Sequence, residues 1–68
     1  MFSLHKSEKN RDIIIAINQV GDNYELAVSI YEKDGDKTIF DPITYSSTEI
    51  LKEIHTSLRN GYTICPVV

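Results

Sequence analysis

The sequence predicts an α+β domain with one helix packed on one face of a small, mostly antiparallel sheet. Three observations carry this expectation. Residues 24–40 hold two alternating apolar runs folded about Asp34-Gly35. Residues 13–17 are a short β-branched run, apolar on both sides. Residues 46–61 open with a capping signature, carry apolar residues at helical spacing and close on a glycine. The expected element order is β-β-β-α-β, with three or four strands in the spatial order 3-2-1-4.

Residues 1–11 are polar and charged without a sustained period, and are expected to form an N-terminal tail ahead of a single domain over residues 12–68. Ile13-Ile14-Ile15-Ala16-Ile17 is too short and too β-branched for a helix, so it is the first predicted strand. Its two-sided apolarity suits the middle of a sheet. Gly21-Asp22-Asn23 supplies turn chemistry. With Asp22-Asn23 as a two-residue turn, Ile17 faces Val28, Ile15 faces Ile30 and Ile13 faces Glu32.

The second predicted strand alternates Tyr24, Leu26, Val28 and Ile30 with Glu25, Ala27, Ser29 and Tyr31. Asp34-Gly35 fits a two-residue type I′ turn. That turn sets Lys33 opposite Asp36, Glu32 opposite Lys37, Tyr31 opposite Thr38, Ile30 opposite Ile39 and Ser29 opposite Phe40. Both pairs beside the turn then have opposite charges, which favours this register. Pro42 ends or bends the third strand, because proline cannot donate to a ladder.

Ser46 and Glu49 form a capping box, with Tyr45 and Ile50 placed for a hydrophobic staple. Ile50, Leu51, Ile54 and Leu58 make the stripe expected to cover the sheet. Asn60-Gly61 stops the helix. Residues 62–68 alternate again and form a fourth strand, parallel to the first and beside it through a right-handed crossover. Pro66 requires that strand to be an edge.

The chain has 68 residues, room for one domain. A chain this short buries only about 60 % of the surface its unfolded form exposes. It usually needs a disulfide, a metal or association. Cys65 is the only cysteine, and with His5 and His55 it makes no zinc spacing. No metal and no cofactor are expected. Association with a second copy or another protein remains.

The net charge is −3, unevenly placed. Lys6, Lys9 and Arg11 oppose Glu8 in the first eleven residues, whereas the remainder is dominated by Asp and Glu. An acidic body disfavours general nucleic-acid binding, which needs clustered Lys and Arg. No secretory signal pattern or membrane-spanning run is visible, so a cytoplasmic chain is expected. The Ile-, Lys- and Asn-rich composition without Trp points to an AT-rich bacterial or phage genome.

No motif supports catalysis. Cys65 and His55 form a conceivable nucleophilic pair on different elements, but no cation or helix N-terminus adjoins Cys65 in the sequence to activate the thiol. Asp34 and Asp36 lie around one tight turn, too few residues to wrap calcium. No phosphate loop, G-x-S-x-G or H-E-x-x-H occurs. The chain therefore reads as a non-enzymatic module.

The sharper lead is the sheet face left over once the core is assigned: Ile14, Ala16, Ala27, Ser29, Tyr31, Thr38 and Phe40. Within it, Ile14, Tyr31, Thr38 and Phe40 are the expected partner-binding residues. Three occupants fit this face. The N-terminal segment could cover it through Phe2 and Leu4. A second copy or another protein could dock there, as exposed apolar patches commonly signal. Single-stranded nucleic acid could stack on its aromatics, with Lys6, Lys9, Arg11 and Lys37 contacting phosphates. The leading expectation is a dimeric protein-binding or regulatory module.

Overall fold

The computed structural model describes residues 2–66. In chain order the elements are β1 (Phe2–Ser7), β2 (Arg11–Val20), β3 (Asn23–Glu32), β4 (Lys37–Ile39), β5 (Ile43–Tyr45), α1 (Ser47–Arg59) and β6 (Thr63–Pro66). The strands make a six-stranded sheet in the order β4-β3-β2-β1-β6, with β5 also paired to β3. Every pairing is antiparallel. The class is α+β as expected, but the strand count and order differ from 3-2-1-4.

The difference comes from the N-terminus. Residues 2–7 are not a tail but a strand inside the sheet. Phe2 and Leu4 alternate with Ser3 and His5, a period of two that the surrounding charge obscures. Phe2 sits opposite Ile17 and Leu4 opposite Ile15. Leu4 is 0 % exposed. The last strand runs in the same direction as β2, as expected, yet β1 lies between them and pairs with both. β6 is an edge, as Pro66 demands, and β2 is internal. The expected fourth strand extended to residue 68; residues 67 and 68 lie outside the described residues.

Both hairpins differ in register from the expected pairing. In the first, Val20 pairs with Asn23, so the two-residue turn is Gly21-Asp22. Gly21 alone has positive φ (+62°), as a type II′ turn requires. Ile17 thus faces Leu26, and Ile15 faces Val28. The shift is two residues, so the faces are unchanged.

In the second hairpin the shift is one residue. Tyr31 pairs with Lys37, Ile30 with Thr38 and Ser29 with Ile39. Gly35 N–H donates to Glu32 O (3.1 Å), and Glu32 N–H donates to Asp36 O (2.8 Å). With Gly35 at φ +104°, this is a three-residue loop, a type I turn closed by a glycine bulge. A one-residue slip exchanges the faces of everything beyond it. Thr38 and Phe40 therefore join the helix-bearing face, and Ile39 takes the other. Phe40 confirms this by donating its N–H to Val28 O (3.0 Å).

Beyond Phe40 the outer edge of β3 is resumed by β5, with Ile43 opposite Leu26 and Tyr45 opposite Tyr24. Three steps along the edge from Phe40 to Ile43 answer two along β3, so Asp41-Pro42 forms a bulge. A bulge is one of the few places a sheet accepts proline.

The helix begins as its sequence indicates. Ser46 Oγ accepts from Glu49 N–H (3.2 Å), and Glu49 Oε1 accepts from Ser46 N–H (3.0 Å). Such an N-cap contributes about 1 kcal/mol. The bond from the Ser46 backbone, then the Ser46 side chain, holds the Glu49 carboxyl below its ordinary 4.5, with Lys52 assisting and desolvation opposing. A lowered carboxyl pKa in the folded state contributes stability at neutral pH that is lost as pH falls through that pKa. Glu49→Gln is accordingly expected to flatten the acid limb of the thermal midpoint below pH 4.5. Melts recorded from pH 6 to pH 3 check this; an unchanged limb would exclude Glu49 as its source. At the other end, Gly61 N–H donates to Leu58 O and Tyr62 N–H to Ser57 O, a Schellman closure.

The buried core is Leu4, Ile15, Ile17, Leu26 and Ile50, with Phe2, Tyr24, Val28, Tyr45, Ile54 and Tyr62 packed around it. The helix is rolled relative to its apolar stripe. Ile50 and Ser57 point inward, whereas Leu51 and Leu58 are exposed. Only one face of the sheet carries the helix.

Candidate functional site

The opposite face follows from the register, since paired residues of an antiparallel sheet point the same way. Its middle row is Ser3, Ala16 and Ala27, with Cys65 beside Ser3. The next row is Thr63, His5, Ile14, Ser29 and Ile39. Ser7, Asp12, Tyr31 and Lys37 follow at one end. Asn18, Glu25 and Thr44 lie at the other. No described element covers this surface. Phe2 and Leu4, which could have covered it, point to the helix side.

Of the four expected partner-binding residues, Ile14 and Tyr31 lie on this face. Thr38 and Phe40 do not, because of the one-residue slip in the second hairpin. Ile39, missed for the same reason, is the most exposed large apolar residue described, at 63 %. Lys37 Nζ sits 5.6 Å from the centroid of the Tyr31 ring, so the two share this face and shield each other.

The other exposed apolar side chains are divided by the architecture. Phe40 and Ile43 flank the bulge on one edge, and Ile64 lies on β6 at the opposite edge. Leu51 and Leu58 lie on the helix. A crevice of about 220 Å³ separates the start of the helix from one end of the sheet, lined by Phe2, Ile17, Tyr24, Ser47, Ile50, Leu51 and Ile54. It is apolar and contains no group able to do acid–base chemistry other than the Tyr24 hydroxyl.

The cations expected to meet phosphates are dispersed. Arg11 Nε pairs with Glu8 Oε1 (3.1 Å), and Lys6 Nζ approaches Glu8 Oε2 (3.8 Å). Lys6 also lies 5.5 Å from the Tyr62 ring centroid. Opposite Ile13, Lys6 belongs to the helix-bearing face, as does Arg11 opposite Glu32. Lys9 is in the β1–β2 turn. Only Lys37 accompanies Tyr31.

One polar constellation was not evident in sequence. Ser3 Oγ lies 2.8 Å from His5 Nε2 and donates to Cys65 O at 3.1 Å. A hydroxyl has one proton, and here the carbonyl takes it. While the hydroxyl donates to the Cys65 carbonyl, His5 Nε2 can only donate to Ser3 and offers the hydroxyl no lone pair. Base activation of a serine nucleophile needs the reverse arrangement. The contact instead satisfies Ser3, which is buried at mid-sheet. Cys65 is half-buried on this same face, and His55 is exposed on the helix, so the conceivable Cys65–His55 pair is not assembled.

Asp34 Oδ1 accepts from Asp36 N–H (3.0 Å), which assigns that carboxylate to the turn. Among the described residues no three His, Cys, Asp or Glu converge as a metal site. No described helix is long and apolar enough to cross a membrane. No family model, curated protein or solved structure matches the chain.

Proposed function

We propose that this chain is a small acidic, non-enzymatic protein-binding module that acts as a dimer or with a protein partner through its uncovered sheet face. The observation that carries the reading is the one-sided architecture. A six-stranded sheet has a single helix on one face, and the other presents the exposed Ile39 and Tyr31 and the half-buried Ile14 to one side of a low row of Ala16 and Ala27. Contiguous exposed apolar surface of this kind marks interaction sites. The small core adds a reason to associate, because a domain of this length gains little from burial alone.

The nucleic-acid alternative keeps Tyr31 and Lys37 but loses Lys6, Lys9 and Arg11 to other surfaces. Replacing both Tyr31 and Ile39 with Ala separates the two. Under the protein-binding reading the double variant stays folded by far-UV circular dichroism and loses association in light scattering. Loss of salt-sensitive binding to a labelled single-stranded oligonucleotide, with size unchanged, would transfer the function to nucleic acid. If neither property changes, the face has no binding role.

A further inference from the structure

Resting on the protein-binding reading, we propose that the partner is a second copy of this chain, docked face to face about a two-fold axis perpendicular to the strands. The axis lies between the Ile14 row and the Ala16 row. The uncovered face is graded along the strands in both size and charge, and this arrangement is the one that matches it to itself.

Size is the first gradient. Ile14 and Ile39 stand tall in one row, with the small Ser29 between them, and Ala16 and Ala27 form the low row beside it. A two-fold axis between them lays the tall row of each copy over the low row of the other. Two sheets packed face to face sit about 10 Å apart and need their side chains to interdigitate. Ile14 of one copy meets Ala16 of the second, and the small Ser29 meets Ala27.

Charge is the second gradient. Lys37 and Tyr31 lie two rows above the low row, and Glu25 and Thr44 lie one row below it. The same axis brings Tyr31 over Glu25 of the second copy, with Lys37 one strand spacing (about 4.8 Å) aside and within reach of that carboxylate. Asp12 does not compete for Lys37 within the chain. It accepts from Ser7 Oγ at 2.7 Å, and Tyr31 stands between the two strands that carry Asp12 and Lys37. Turning the axis to lie along β2 places Asp12 directly over Asp12 and leaves Lys37 facing no acid. Like-charge contacts of that kind penalise the wrong arrangement.

The area is adequate. The 36 residues of the six strands, at about 3.4 Å rise and about 4.8 Å strand spacing, give a face of roughly 600 Å², the lower end of what each partner of a standard interface buries.

Sedimentation of the full chain tests the arrangement, using Lys37→Glu, Glu25→Lys, the double exchange, and Ile39→Asp, with folding followed by circular dichroism. The wild type is expected at twice the 7.7 kDa chain mass. Each single charge reversal is expected to weaken the dimer by roughly tenfold or more in Kd, and the double exchange to restore it. A monomeric wild type at high concentration overturns the homodimer. A dimer that Ile39→Asp breaks and the charge exchanges leave untouched overturns this docking but preserves the face as the interface. A dimer that none of the four variants alters removes both. Should Ile39→Asp unfold, Ile39→Ala takes its place.

Discussion

Leu4→Ala is expected to destabilise the domain by about 2–5 kcal/mol, the range for truncating a fully buried leucine. A domain of this length has roughly 3–10 kcal/mol in total. The variant should therefore lose a large fraction of its stability at 25 °C. Leu4 is 0 % exposed and sits between Ile15 of β2 and Ile64 of β6 in the sheet register. Its loss leaves a void beneath the helix and weakens the strand on which β6 is laid. Urea denaturation followed by circular dichroism measures the effect. A change below about 1 kcal/mol, typical of surface substitutions, would mean that residues 2–7 are not a structural strand.

Ile50→Ala is expected to cost a comparable 2–5 kcal/mol, whereas Leu51→Ala, its neighbour, should cost less than 1 kcal/mol. The two share side-chain volume and helical context and differ in direction. Ile50 is 3 % exposed and belongs to the core, while Leu51 is 56 % exposed on the helix flank. Parallel thermal melts of the two variants check the roll of the helix. Equal losses would show that the stripe faces the sheet as a whole.

What could be read in the sequence was local. Ser46 and Glu49 satisfy each other within one turn, and Gly61 closes the helix through bonds that reach five residues back. Nothing distant can alter those preferences, so the helix limits were legible. The second hairpin was less so. Asp34-Gly35 suits a two-residue type I′ turn and equally a three-residue loop with its glycine last, since both need positive φ at Gly35.

Opposite charges beside the turn favoured the shorter loop. The observed register instead sets the half-buried Glu32 near the exposed Asp36, where solvent at the hairpin end screens their repulsion. A backbone bond from Lys33 N–H to Asn10 O (3.0 Å) ties the hairpin to the β1–β2 turn. That partner could not be known without β1. The same gap explains the candidate face. Ile14 and Tyr31 were placed correctly from local alternation, but Thr38, Ile39 and Phe40 depended on the slipped register. β1 itself was hidden because Lys6, Glu8, Lys9 and Arg11 dominate a segment whose apolar positions after Met1 are Phe2 and Leu4.

The Asp41-Pro42 bulge governs how far any association can spread. A continuous open strand is a template onto which further chains can zip indefinitely, the route to fibrils. Here the outer side of β3 is occupied by two three-residue strands separated by a bend, and the opposite border is a four-residue strand containing Pro66. Among the described residues, neither border offers a long straight row of backbone donors and acceptors. The sequence can thus keep isoleucines on an open sheet surface while withholding the lateral growth that such a surface would otherwise seed. Straightening the edge by removing the bulge residue would be the change most apt to open that border to lateral growth.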